Sequence, residues 1–134
     1  MTFDLPIIPV AKGRPRHTKG GHTYTPAKTR GYEAALKALV MAQCPHVEPL
    51  EGPLVLRIVF YLPRPKRLMR VCDPDGPVPA PLRPDLDNLV KALKDAMNGV
   101  LWSDDAQIVV LRASKWYHGK SGAPGVYLTV IPID

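Results

Sequence analysis

The chain has 134 residues, 46% of them hydrophobic, and sets 18 Lys and Arg against 12 Asp and Glu for a formal net charge of +6. That length fits one domain with a core of its own, and the basic balance favours an acidic partner, nucleic acid ahead of an anionic membrane. No apolar run approaches the roughly 18–20 residues of a spanning helix, the start lacks the basic-then-apolar pattern of a leader, and Cys44 and Cys72 stand outside any metal-ligand spacing, so a reduced, cytoplasmic protein is expected.

Residues 2–9 read as a short strand, which Pro6 and Pro9 place at an edge or end early. Residues 11–26 form a loop carrying Lys12, Arg14, Arg16 and Lys19, with two His, three Gly and no acid. Loops of this length are usually functional or disordered. Two readings stand: a solvated turn, or an arm in which Gly permits close approach and Arg14 and Arg16 fork onto phosphate oxygens. Residues 27–43 place Tyr32, Leu36, Leu39 and Val40 at helical spacing, with Thr25 and Pro26 as start signals and Cys44-Pro45 as the stop. Residues 53–62 are the clearest strand, and Arg57 in its middle leaves one face not wholly buried.

A second long loop covers 63–84. Its first half is basic, with Arg64, Lys66, Arg67 and Arg70; its second half is proline-rich and ends at Arg83-Pro84. Asp73-Pro-Asp-Gly within it reads as a turn rather than a metal site. Residues 86–98 repeat Leu86, Leu89, Val90, Leu93 and Met97 at helical spacing, giving one core face. Asp85 suits the N-cap, Asp87 the first turn, and Asn98-Gly99 the stop. Strands follow at 107–117 and 126–133, with 119–125 read as a hairpin loop between them. The order β-α-β-α-β-β predicts an α+β fold over 1–134 as one domain: a mixed four-stranded sheet with two helices packed on it.

Five of the twelve carboxylates (Asp85, Asp87, Asp95, Asp104 and Asp105) fall between positions 85 and 105. In a basic chain this concentration suggests a divalent cation held beside a polyanion. With Leu86 turned into the core, Asp85 and Asp87 both reach outward, and Lys91 lies one turn on along the same face as Asp87. Carboxylates without His or Cys suit Mg2+ or Mn2+. Ordinary N-capping with an i,i+4 ion pair explains the same residues. Of Asp104 and Asp105, one is expected to join the site and the other to cap or hydrogen-bond the loop. Trp102 reads as core rather than as a base-stacking residue.

The run Arg-Pro-Asp-Leu-Asp-Asn-Leu-Val-Lys at 83–91, a helix, and then Trp-Ser-Asp-Asp-Ala-Gln at 102–107 resembles the signature of the RusA family of Holliday-junction resolvases. Lys-Gly-Arg-Pro-Arg at 12–16 and the Tyr-Thr-Pro…Tyr-Glu pattern at 24–33 also resemble bacterial and prophage members. The proline-rich part of 63–84 departs from the pattern. The resemblance implies a homodimeric, Mg2+-dependent endonuclease of recombination and repair that cuts paired strands of branched DNA at a four-way junction. It implies Asp85, Asp87 and Asp105 as metal ligands and catalytic residues, with Lys91 as the catalytic cation. Lys12, Arg14, Arg16, Lys19, Arg64, Lys66, Arg67, Arg70 and Arg83 are expected to track the DNA backbones. The alternative is a non-catalytic junction-binding or architectural protein, which the acid cluster disfavours. A nuclease pairing Pro-Asp with a later acid-x-Lys strand fails, because Ala106-Gln107 follow Asp105. A membrane-surface protein would need a helix with a basic face opposite an aromatic one, and neither helix has it.

Overall fold

A computed structural model describes residues 1–13, 16–17, 20–21, 23–24 and 27–134. Its main sheet is organised on β4 (Leu54–Leu62), whose alternation sets the layers. Leu54, Leu56, Ile58, Phe60 and Leu62 are buried on one face, while Arg57 on the other is exposed. β4 is flanked by β6 (Ile108–Tyr117), which runs parallel to it, and by β7 (Gly125–Pro132), which runs antiparallel. β1 (Thr2–Leu5) pairs with β7 at one edge, and β5 (Val78–Pro79) pairs with the end of β6 at the other. A separate two-stranded ribbon, β2 (Arg16–His17) with β3 (Thr23–Tyr24), lies within the basic arm.

The sheet therefore has five strands in the order β1-β7-β4-β6-β5, one more than expected. The added strand is two residues long and contains a proline, which an edge position tolerates because no ladder N–H is demanded there. The expected hairpin between the last two strands does not form. β4 lies between β6 and β7, and residues 118–124 cross over its end. The glycine-rich turn suits either connection, and placing β4 centrally gives both of its long edges a partner.

Helix α1 (Ala27–Gln43) and helix α2 (Leu86–Met97) cover one face of this sheet. α1 contributes Tyr32, Leu36 and Val40, spaced by fours. α2 contributes Leu89, Val90, Leu93, Ala96 and Met97. Each large apolar side chain buried this way stabilises the fold by roughly 1.5–3 kcal/mol. Thr25 and Pro26, the expected start signals of α1, lie outside the described residues. No helix among the described residues is long and apolar enough to cross a membrane.

α2 ends where Gly99 adopts φ +81°, a conformation that disfavours side chains with a Cβ. The chain reverses at once: Gly99 N–H donates to Trp102 O at 2.7 Å, and Leu101 N–H to Met97 O at 3.0 Å. Leu101 and Trp102 are thereby driven fully into the core. That reversal delivers Asp104 and Asp105 back toward the helix they follow.

Candidate active site

Two segments build the site: the first turns of α2 and the stretch 102–107 that enters β6. The second segment is fastened to the connector at 50–52. Leu50 N–H donates to Leu101 O at 2.9 Å, Ser103 Oγ is bonded to Glu51 Oε1, and Gln107 Nε2 donates to Leu50 O at 2.8 Å and Gly52 O at 3.0 Å. Residues 105–107 form a single 3-10 turn capped by Asp104. The Asp104 carboxylate accepts from Ala106 N–H at 2.9 Å, and Gln107 Oε1 accepts from Asp104 N–H at 2.8 Å. Asp104 Oδ1 is thus engaged by the cap. Asp105 is held differently, its Oδ1 accepting from the indole N–H of the buried Trp102 at 2.7 Å.

Asp87, Val90, Lys91, Lys94, Asp95 and Asp105 line one open cleft of about 230 Å³. Two carboxylates expected to act, and the expected lysine, therefore face the same space. Asp87 Oδ1 accepts from Asn88 N–H at 3.0 Å. Lys91 pairs forward with Asp95 at 3.7 Å rather than back to Asp87, and its side chain stays 63% exposed. Asp85 lines a second hollow at the start of α2, together with Ala11, Arg83, Pro84 and Asn88. It occupies the N-cap position but makes no capping hydrogen bond, so the expected cap is positional only. Among the described residues no three His, Cys, Asp or Glu side chains are grouped closely enough to form a complete metal site. The donors nevertheless fit a hard cation. Mg2+ commonly takes one or two carboxylates and completes its shell with water and substrate phosphate, and Asp87 and Asp105 offer such oxygens from two independent elements.

The root of the basic arm is docked beside this cleft. Lys12 N–H donates to Asn88 O at 3.1 Å, and Gly13 N–H to Thr29 Oγ1 at 3.1 Å. Lys12 Nζ binds Glu33 at 2.9 Å and Asp95 at 3.0 Å, joining α1 to α2. Burial alone would lower this ammonium's pKa, but the hydrogen bonds to Glu33 and Asp95, with their charges, outweigh it and raise the group above its usual value. Lys12 is therefore a clamp between the two helices. Arg14 and Lys19 lie outside the described residues, as does the side chain of Arg16.

Arg64 also departs from its expected place. Only 8% exposed, it donates to the carbonyls of Leu68, Pro74 and Gly76 at 2.7–2.9 Å and to His118 O at 3.4 Å. Its guanidinium organises the loop at 63–84 from within. Lys66, Arg67, Arg70 and Arg83 remain exposed, with Arg70 paired to Asp73 at 3.3 Å. The hydrogen bonds from Arg70 hold the Asp73 carboxyl below its usual range.

The family model for Endodeoxyribonuclease RusA matches residues 6–131. The chain belongs to the RusA endodeoxyribonuclease family. A Bacillus subtilis (strain 168) relative, the uncharacterized protein YqaN, is 35% identical over 117 residues, covering 81% of this chain and 82% of the relative. Within the RusA frame, Gln107 belongs to the motif at 102–107 and also has a structural role of its own. The Asp104-x-x-Gln107 spacing is that of a capping box, a sequence signal that marks Asp104 as the cap of this turn. No comparable signal in sequence announces the Trp102–Asp105 bond.

Proposed function

We propose that the chain is a divalent-metal-dependent endonuclease that resolves four-way DNA junctions by symmetric phosphodiester hydrolysis, acting as a homodimer. The observation carrying this reading is the shared cleft of Asp87, Lys91 and Asp105 beside the root of the basic arm. Mg2+, or Mn2+ in its place, would be held by Asp87 and Asp105, with Asp85 contributing from the start of α2. When bound, the metal supplies a Lewis acid that lowers the pKa of water and offsets phosphate charge.

The protein's own groups have distinct tasks. Asp105 is oriented by Trp102, so one oxygen is engaged and the other is available to the cleft. Lys91 sets a positive charge at the cleft and stabilises negative charge developing on the scissile phosphate. Lys66, Arg67, Arg70 and Arg83, with Arg14, Arg16 and Lys19 of the arm, bind backbone phosphates. Neutralising six phosphates would make log affinity fall with log salt at a slope of roughly −5. Two symmetric nicks require two sites, which a twofold dimer provides.

A second reading, a non-catalytic junction-binding protein, has one observation in its favour: Asp85 lines a hollow of its own, apart from Asp87 and Asp105. Cleavage of a synthetic four-way junction in Mg2+, beside a linear duplex and the Asp87→Asn variant, decides between them. Symmetric nicks in the junction alone, lost in the variant, are expected, with binding retained or tightened. Tight binding without cleavage in either Mg2+ or Mn2+ would establish the second reading.

A further inference from the structure

Lys115 sits near the C-terminal end of β6, in register with Phe60 of β4. Phe60 belongs to the buried row beneath the helices, so the Lys115 side chain rises on the helix side of the sheet. Its Nζ donates to Leu82 O at 2.6 Å and to Pro84 O at 2.7 Å, straddling Arg83. No carboxylate pairs with it among the described residues. A half-buried cation in a strand is thus spent on two backbone carbonyls of one short segment.

That segment leads directly into Asp85. Helix α2 holds this residue by its backbone, Leu89 N–H donating to Asp85 O at 3.2 Å, but the Asp85 side chain makes no capping bond. Arg83 and Asp85 line the same hollow, and the Lys115 ammonium fixes the backbone on both sides of Arg83. We propose that Lys115 is a positioning residue: its clamp on the Leu82 and Pro84 carbonyls sets where the Asp85 carboxylate and the Arg83 guanidinium are presented at the start of α2. The inference rests on the reading of Asp85 as a metal-site residue. It deepens that reading by assigning the support of a third carboxylate, which lines a hollow of its own apart from the cleft of Asp87 and Asp105.

The fold contains a control. Lys120 makes the same kind of clamp elsewhere, donating to Arg70 O and Asp73 O at 2.7 Å each. Removing either ammonium loosens a loop, but only Lys115 holds one that carries a proposed ligand. The experiment compares Lys115→Met, Lys115→Arg and Lys120→Met for Mn2+ binding by titration calorimetry on the full chain, with thermal unfolding measured in parallel. Support for an outer residue of a metal site is typically worth about 10–100-fold in metal affinity. Lys115→Met should weaken Mn2+ binding by that factor and Lys115→Arg should recover part of it, while Lys120→Met lowers the unfolding temperature and leaves Mn2+ affinity unchanged. In an Asp85→Asn background the Lys115→Met effect should vanish, since both changes act through one carboxylate.

Equal Mn2+ affinity in Lys115→Met and wild type would overturn the proposal and reduce Lys115 to a loop staple like Lys120. A Lys115→Met effect undiminished by Asp85→Asn would overturn it too, by showing that Lys115 acts through another group. A wild-type chain that binds no Mn2+ would mark failure of the metal-site reading itself, and the positioning role would fall with it.

Discussion

The indole N–H of Trp102 donates to Oδ1 of Asp105 across 2.7 Å, from a ring with no exposed surface. Asp105 is thereby tied to the most immobile kind of donor a protein offers, a large side chain packed on all sides. One carboxylate oxygen is engaged and the other is left for the cleft. Trp102 therefore serves the core and the candidate site at once.

Replacing Trp102 by Phe keeps an aromatic ring and withdraws the N–H. The lost bond to a charged acceptor is worth about 1.5–3 kcal/mol, to which the smaller ring adds a packing loss. Junction nicking should fall by about 10–100-fold, the scale for losing an outer-shell support. Thermal unfolding and single-turnover cleavage measure the two effects. Full cleavage at a lowered unfolding temperature would show that Asp105 finds its place without the indole.

The adjacent acids should separate cleanly. Asp104→Ala removes a cap, costing about 0.5–2 kcal/mol, and should leave most of the cleavage at permissive temperature. Asp105→Asn should abolish cleavage while keeping the fold, because the amide oxygen can still accept from Trp102. Far-UV dichroism together with a junction-cleavage assay tests the pair. Comparable loss of activity in both variants at equal stability would contradict the division of labour.

Two arginines three positions apart in the same loop should behave oppositely. Arg64→Met leaves the carbonyls of Leu68, Pro74 and Gly76 without their donor and should cost about 2–4 kcal/mol. Arg67→Met should scarcely change stability and should reduce the salt slope of DNA binding by about 1. Chemical denaturation and binding at several salt concentrations distinguish the outcomes.

Burial pushes the Tyr32 phenol up to about 12 from its ordinary 10.0, with the Val10 backbone only partly offsetting it. The hydroxyl has no hydrogen-bond partner of good geometry among the described residues. Because the folded value lies above the unfolded one, deprotonation favours the unfolded chain. Stability should be constant in this respect below pH 10 and fall as pH rises toward 12. Tyr32→Phe should remove that part of the alkaline loss and change neutral-pH stability by less than about 1 kcal/mol. Unfolding midpoints from pH 8 to 11.5 provide the check.

Elements with strong periodicity were legible from the chain alone. α1 spans the expected residues, and α2 ends one residue before the expected limit, because Tyr32, Leu36 and Val40 or Leu89, Leu93 and Met97 can share a face only in a helix. The pairing order was not legible. A turn such as 118–124 reverses the chain without stating whether its strands are neighbours, and the edge strand at Val78–Pro79 has no alternation to read. The acids of the site were visible as composition and spacing. The fates of Lys12 and Arg64 were not, because whether a cation is spent internally depends on carbonyls and carboxylates that only the tertiary fold brings to it. Neighbours in an extended strand diverge, which predicts that one of Asp104 and Asp105 caps or hydrogen-bonds the loop; Asp104 does so, but in a capped 3-10 turn rather than a strand.

The central place of β4 also governs the order in which the molecule can come together. Both of its strand partners, β6 and β7, come from residues 108–132, and β1 must wait for β7, pairing Thr2 with Thr129. Synthesis delivers the N-terminal part first. No strand of the main sheet can gain a partner until β6, at 108–117, has emerged. Until then the nascent protein can build only local structure, α1 and α2 among it, while the apolar row of β4 and both of its edges stay open to pairing with other chains. Assembly of the sheet is consequently a late event dominated by distant contacts, which predisposes the chain to slow folding and makes completion of the strands at 108–132 the step that closes the core.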